Sequence, residues 1–263
     1  MTHHPPSQLQ PSAILFMIGV LLFLAYGCGG GEEPRVLVFS KTAGYRHASI
    51  ESGQDMFRRL GEEHDFGVDV SEDAAVFTKE NLARYRAVVF LSTTGDILDN
   101  AQEMALQRYV EGGGNWLGIH AAADTEYEWP WYNQLAGAYF ESHPKGTPEA
   151  TIRVLNSRHP ATRGLKDRWT RTDEWYNYKS IQPGMNVLME LDETTYEGGK
   201  NGANHPIAWY REIGQGRMFY TGLGHTEASY SEPEFVAHVY GGLQYLLDNN
   251  KRVRYALAGD SLE

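Results

Sequence analysis

The sequence predicts an α/β fold built on a mostly parallel central sheet with an added antiparallel region. Two observations carry this expectation. Up to Ile119, short apolar runs rich in β-branched residues alternate with stretches of helical spacing. One such strand comes roughly every 20–30 residues, the pattern of buried parallel strands joined by right-handed crossovers. Beyond Trp131 the pattern loosens, and apolar residues alternate with polar ones as in antiparallel strands. The 263 residues, 41% of them hydrophobic, suffice for one well-buried core.

Arg35 to Ser40 (RVLVFS) reads as the first buried strand. A polar loop to Ser49 follows, and Ser49 is placed to cap a helix from Ile50 to about Glu62. Phe66 to Val70 is the second strand, and a short helix is expected within Asp73 to Tyr85. Ala87 to Leu91 is the third. Asp99 then caps a helix that stops at Gly112-Gly113-Gly114. Asn115 to Ile119 is the fourth strand, and it breaks at His120 into Ala121-Ala122-Ala123. Small residues around His120 allow a sharp strand-to-helix turn, which would hold one imidazole at the C-terminal edge of the sheet. A buried histidine capping the sheet is the competing reading. Thr151 to Leu155 and Met185 to Leu191 alternate as antiparallel strands. Pro206 to Tyr210 and Arg217 to Thr221 form a pair around Gly214-Gln215-Gly216, and Pro233 to Leu247 is a final amphipathic helix.

The net charge of −11 argues against nucleic acid as a partner, since such binding relies on Lys and Arg meeting phosphates. Residues 1–27 hold no Lys, Arg, Asp or Glu, and Ala13 to Tyr26 is continuously apolar. That run is shorter than the roughly 20 residues of a permanent membrane helix and fits a secretory signal. An uncleaved anchor helix is the other reading. Leu24-Ala25-Tyr26-Gly27-Cys28 resembles a bacterial lipobox, with Cys28, the single cysteine, as the lipid-bearing residue. The organisation expected is a signal peptide over 1–27, a tether over 28–34, a domain over 35–248 and a tail over 249–263. Localisation follows as export, with a lipid anchor in the cell envelope at the periplasmic face or the outer membrane.

Five of the ten histidines follow strands or lie beside Gly or Pro: His47, His120, His143, His205 and His225. Loops after parallel strands open on one edge, so His47, His120 and His225 are expected on a common rim. Asp173 and Glu174 are adjacent carboxylates, of which a strand would send only one into a cleft. Asp124 follows His120 by about one helical turn and is placed to return beside it. Histidines with a carboxylate suit a divalent metal such as zinc, and equally general acid–base chemistry. Trp129, Trp131, Trp175, Tyr176 and Tyr178 read either as packing or as faces for a sugar ring.

Several segments resemble the ThuA-like (trehalose utilisation) family. They are Gly44-Tyr45-Arg46-His47, the stretch Gly112 to His120, Gly137-Ala138-Tyr139-Phe140 with His143-Pro144, Asp173-Glu174-Trp175-Tyr176, and Gly216 to Tyr220 followed by Leu223-Gly224-His225. The resemblance implies a class I glutamine amidotransferase-like, flavodoxin-like three-layer sandwich. Amidotransferases of that fold place a cysteine at the elbow and a His-x-Glu pair late in the chain. Here the elbow carries His120, and His225-Thr226-Glu227 looks like the late pair. With no cysteine beyond Cys28, thiol-based glutamine hydrolysis lacks its nucleophile.

The resemblance also implies a role with trehalose, other disaccharides or their keto derivatives. On that reading His120, His143, His225 and Glu174 line one pocket. His120, His225 and Glu174 would be catalytic, and His120, His143 and His225 would hold any metal. His47, Asp173, Trp175, Tyr176 and Asp124 would contact the substrate. The activity would be a keto-sugar hydrolase, lyase or isomerase. A non-catalytic sugar-binding lipoprotein, and an interaction protein with a degenerate site, are the alternatives.

Overall fold

Trp116 and Phe90 pack against Tyr132 on one side of the central sheet, while Phe219 meets His238 on the other. The sheet is therefore covered on both faces, which is why its central strands are apolar at most positions on either face. A computed structural model describes residues 1–3, 33–249 and 253–257. The strands are β1 (Arg35–Phe39), β2 (Gly67–Ser71), β3 (Ala87–Leu91), β4 (Asn115–Ile119), β5 (Tyr139–Ser142), β6 (Glu149–Val154), β7 (Arg168–Thr172), β8 (Asn177–Lys179), β9 (Asn186–Asp192), β10 (His205–Ile213) and β11 (Gly216–Thr221). The helices are α1 (Ile50–His64), α2 (Lys79–Leu82), α3 (Asn100–Glu111), α4 (Pro130–Ala136) and α5 (Pro233–Leu247).

Nine strands form one sheet in the order β2-β1-β3-β4-β11-β10-β9-β6-β7, and β5 pairs with β8 apart from it. The strands from β2 to β11 run parallel, and β10, β9, β6 and β7 extend the sheet antiparallel. This is the expected α/β architecture. The hairpin β10–β11 joins the two halves, because β11 pairs antiparallel with β10 and parallel with β4. All five residues of β3 and of β4 are buried. Each large apolar side chain among them contributes roughly 1.5–3 kcal/mol.

Asp99 caps α3 as expected, in a full capping box with Gln102. Ser49 does not cap α1. Its own backbone is helical, and its hydroxyl donates to the Gly224 carbonyl instead. The expected helix within Asp73 to Tyr85 is split into a 3-10 turn (Ala74–Val76) and α2, which is capped by Thr78. β5, β7, β8 and α4 were not anticipated. Cys28, the apolar run before it and most of the tether lie outside the described residues. Among the described residues no helix is long and apolar enough to cross a membrane.

Candidate functional site

The loops after β1, β4 and β11 bring His47, His120 and His225 to one edge, and the segment after β7 adds Glu174. One donor atom from each of the four residues lies within 4.8 Å of every other. His120 occupies the elbow with φ +50°, a left-handed conformation that costs a histidine about 1–3 kcal/mol. Its surroundings fix that conformation. The Tyr220 hydroxyl donates to the His120 carbonyl at 2.7 Å, and Ala121, Ala122 and Ala123 are fully buried beneath the turn. The His120 ring lies 4.3 Å from that of Tyr176.

His120 Nδ1 is 3.0 Å from the Gly222 carbonyl oxygen. A carbonyl only accepts, so Nδ1 carries a proton and Nε2 is the nitrogen turned into the cluster. Gly222 has to be glycine, since a Cβ there would sit 2.1 Å from the Tyr178 hydroxyl. Nε2 of His120 lies 3.1 Å from His225 Nδ1 and 3.3 Å from Glu174 Oε2. The His225 Nδ1 to Glu174 Oε2 distance is 3.1 Å. His47 is buried, with its ring edge-on to those of His120 and His225, and its Nδ1 has no hydrogen-bond partner among the described residues.

Electrostatics separate the roles. Burial, with His120 and His225 beside it, pushes the His47 pKa down to about 3 and keeps that ring neutral. The hydrogen bond to Glu174 raises the His225 pKa against the effect of burial. Burial works to raise the Glu174 pKa, but hydrogen bonds from His120 and His225 and their charges outweigh it and hold the carboxylate well below its usual range.

This donor set fits a divalent metal. Three imidazoles and a carboxylate are the ligand types of catalytic zinc. In tetrahedral zinc sites neighbouring donors are ~3.3 Å apart, given bonds of about 2.0–2.1 Å, close to the three spacings here. The Gly222 carbonyl on His120 Nδ1 is the outer partner that metal-bound histidines normally have. The buried, unpartnered Nδ1 of His47 is a donor atom left without an internal use.

The remaining sequence candidates divide. His143 stands at the edge of the cluster, its side chain 39% exposed, with Nδ1 3.2 Å from Glu174 Oε1 and 2.7 Å from the Pro144 carbonyl. It lies outside the compact donor set, and His47 takes the place expected for it. Asp124 is half-buried, accepts from the Tyr127 hydroxyl at 2.6 Å and feels the charges of His120 and Glu174. Tyr176 packs between His120 and Phe140, and its hydroxyl has no hydrogen bond among the described residues.

Three expectations are corrected. Asp173 is fully buried and binds backbone amides, so it cannot touch a substrate. Trp175 is also fully buried, with its indole donating to the Pro148 carbonyl. Glu227 is exposed at the start of a 3-10 turn, and the carboxylate expected from the late His-x-Glu pair comes from Glu174. Asp173 and Glu174 also lie beyond the end of β7, so strand alternation does not orient them. His205 is structural, held between Glu193 and the Tyr176 carbonyl. Arg171 was missed, because nothing in an alternating Arg-Trp-Thr-Arg-Thr strand marks one arginine as buried.

The fold has solved neighbours. A protein from Bacteroides uniformis described as ThuA-like aligns over 84% of this chain and 95% of its own, with 21% identity and a TM-score of 0.70. One from Parabacteroides merdae, described in the same way, aligns over 82% and 90%, with 19% identity and a TM-score of 0.66. A protein described as belonging to GMP synthase, from Thermoplasma acidophilum, aligns over 84% and 100%, with 12% identity and a TM-score of 0.51. No curated protein matches the chain. The family ThuA, described as trehalose utilisation, matches residues 35–246. The chain belongs to the ThuA family, a membership that supports a role in carbohydrate utilisation.

Proposed function

We propose that this protein is an exported, lipid-anchored enzyme that acts on a disaccharide or its keto derivative at the His47, His120, Glu174 and His225 cluster. The observation that carries the reading is the convergence of these four donors with the His120 tautomer set by Gly222. A binding module needs hydrogen-bonding groups but has little use for three imidazoles meeting a buried carboxylate. A divalent ion held by these four residues would polarise a sugar carbonyl or hydroxyl.

In the alternative without an ion, the same side chains supply the proton transfers. His120, held by the Gly222 carbonyl on Nδ1, accepts at Nε2 a proton from a C–H beside a carbonyl or from an attacking water. His225, favoured as imidazolium by Glu174, donates to the oxygen on which negative charge develops. The free Tyr176 hydroxyl and the half-exposed His143 meet the substrate's hydroxyls. Export and a lipid on Cys28 belong to the same proposal, supported by the apolar run before the single cysteine. A screen of the purified domain with trehalose, other disaccharides and their 3-keto forms, with and without added zinc, tests it. Turnover of a keto-disaccharide is expected. Tight sugar binding without turnover would assign the protein as a binding lipoprotein, and neither would end the carbohydrate reading of this site.

A further inference from the structure

The Asp173 carboxylate is fully buried and shared among three backbone amides. Its Oδ1 accepts from Glu174 N at 2.9 Å and from His225 N at 3.1 Å, and its Oδ2 accepts from Gly224 N at 2.9 Å. A single side chain thus ties the backbone of Glu174, which follows β7, to the backbone of His225, which follows β11. Gly224 has φ +106°, and a Cβ there would lie 2.9 Å from the Tyr230 hydroxyl, so this loop follows a path open to glycine alone.

A buried carboxylate is costly unless a cation pairs with it. Arg171 is that cation, itself buried, with Nη2 3.4 Å from Asp173 Oδ2, 2.9 Å from Glu232 Oε2 and 2.8 Å from Ser229 Oγ. Its guanidinium lies 4.9 Å from the Trp169 ring centre and 5.2 Å from that of Phe235. Its Nε and Nη1 have no hydrogen-bond partner among the described residues. Unmet buried donors cost stability, and proteins accept such local costs chiefly at functional sites.

We infer that Arg171 and Asp173 are a positioning pair that sets the separation of His225 and Glu174, and through it the affinity of the cluster for a divalent cation. Neither residue touches the cation or the substrate. Arg171 holds Asp173 charged and in place, and Asp173 holds the amides from which the two donor side chains project. This inference rests on the metal reading of the site proposed above.

The test uses Arg171→Met, Arg171→Lys and Asp173→Asn in the full domain. Zinc affinity is measured by chelator competition, beside thermal unfolding and imidazole NMR of the metal-free proteins. Arg171→Met and Asp173→Asn are expected to weaken zinc binding about 10- to 100-fold, with Arg171→Lys recovering most of the loss. The His225 ring signals are expected to move in Arg171→Met while those of the buried His159, whose pKa is shifted by burial and Arg163 and not by Arg171, stay. Wild-type zinc affinity in folded Arg171→Met or Asp173→Asn would overturn the inference, even with a lowered Tm, because a merely structural pair would show that outcome. If Asp173→Asn does not fold, the two Arg171 variants decide. If the wild type itself binds no zinc, the metal reading fails, and the metal-free spectra decide the inference: unmoved His225 signals in folded Arg171→Met overturn it.

Discussion

Nε2 of His120 lies 3.1 Å from Nδ1 of His225, across a separation of 105 residues in the chain. The contact exists because β11 inserts beside β4, so the loops that follow the two strands leave the sheet next to each other. Replacing His120 removes the ring of the four-residue cluster that a backbone carbonyl holds in place. Asparagine tolerates the left-handed backbone at this position better than most residues, so His120→Asn isolates the loss of the imidazole. The variant is expected to fold, to lose zinc binding, and to turn over substrate about 100-fold or more slowly. Circular dichroism with metal analysis and steady-state rates checks this, and full zinc occupancy in the variant would refute it.

Glu174 raises the His225 pKa through their hydrogen bond. A raised imidazole stabilises the fold below its unfolded pKa, and that stability is lost as pH rises through the folded value. The depressed Glu174 carboxylate contributes above its unfolded pKa and loses its contribution as pH falls. The pair is therefore strongest in mildly acidic solution, between those two limits. Glu174→Gln is expected to bring the His225 midpoint of the metal-free protein back down towards its ordinary value, read by NMR titration. An unchanged midpoint would show that the ring is charged by something else.

The parallel half of the fold was legible in the sequence because most of its strands are short, largely apolar runs that stop at clear loops. The His120 elbow and the common edge of His47, His120 and His225 followed from the same pattern. What escaped depends on long-range contacts. Glu227 has the right spacing from His225, but a 3-10 turn capped by Thr226 leaves it in solvent, and Glu174 approaches from another part of the chain. Asp173 looks like a cleft carboxylate until the Gly224 and His225 amides are found on it. Arg171 in β7 reads as a solvent-facing charge, and only the packing of Trp169 and Phe235 against it reveals its burial.

Away from the site, His159 and His238 are buried as neutral rings, each with its pKa lowered to about 4 by burial. The unfolded chain protonates both rings below about pH 6.5, and the folded protein does not until about pH 4. Stability is then undiminished above pH 6.5 and drains away between those values, by roughly 3 kcal/mol for His238. The Tm is expected to fall steeply across that window. In a folded His238→Gln variant the slope should flatten, and a slope equal to that of the wild type would exclude His238 as the cause.

Cys28→Ala tests the lipid anchor without touching the domain. Acylation of a single cysteine is the only covalent route to the membrane that the lipobox-like segment offers. The variant expressed in a Gram-negative host is expected to move from the membrane fraction to the soluble periplasm. The wild-type chain, by contrast, should carry the mass of a diacylglyceryl cysteine. Continued membrane association of the variant would favour the apolar run as an uncleaved anchor.

His47 and His143 were given opposite weights by the sequence and by the geometry, so the pair discriminates sharply. His47 has a neutral ring, buried with an unpartnered Nδ1 beside His120 and His225. His143 is 39% exposed in its side chain, and its Nδ1 already faces the Pro144 carbonyl, which leaves that nitrogen a donor. His143 also lies outside the compact set of four donors. His47→Ala is therefore expected to cost zinc affinity at least as heavily as loss of an outer partner does, by about 10- to 100-fold or more. His143→Ala should leave zinc affinity within about 2-fold, since it removes no ligand from the set, and act instead on KM for the sugar. Parallel zinc titrations and substrate kinetics on the two variants separate the roles. A His143→Ala protein that loses zinc while His47→Ala keeps it would reverse the assignment.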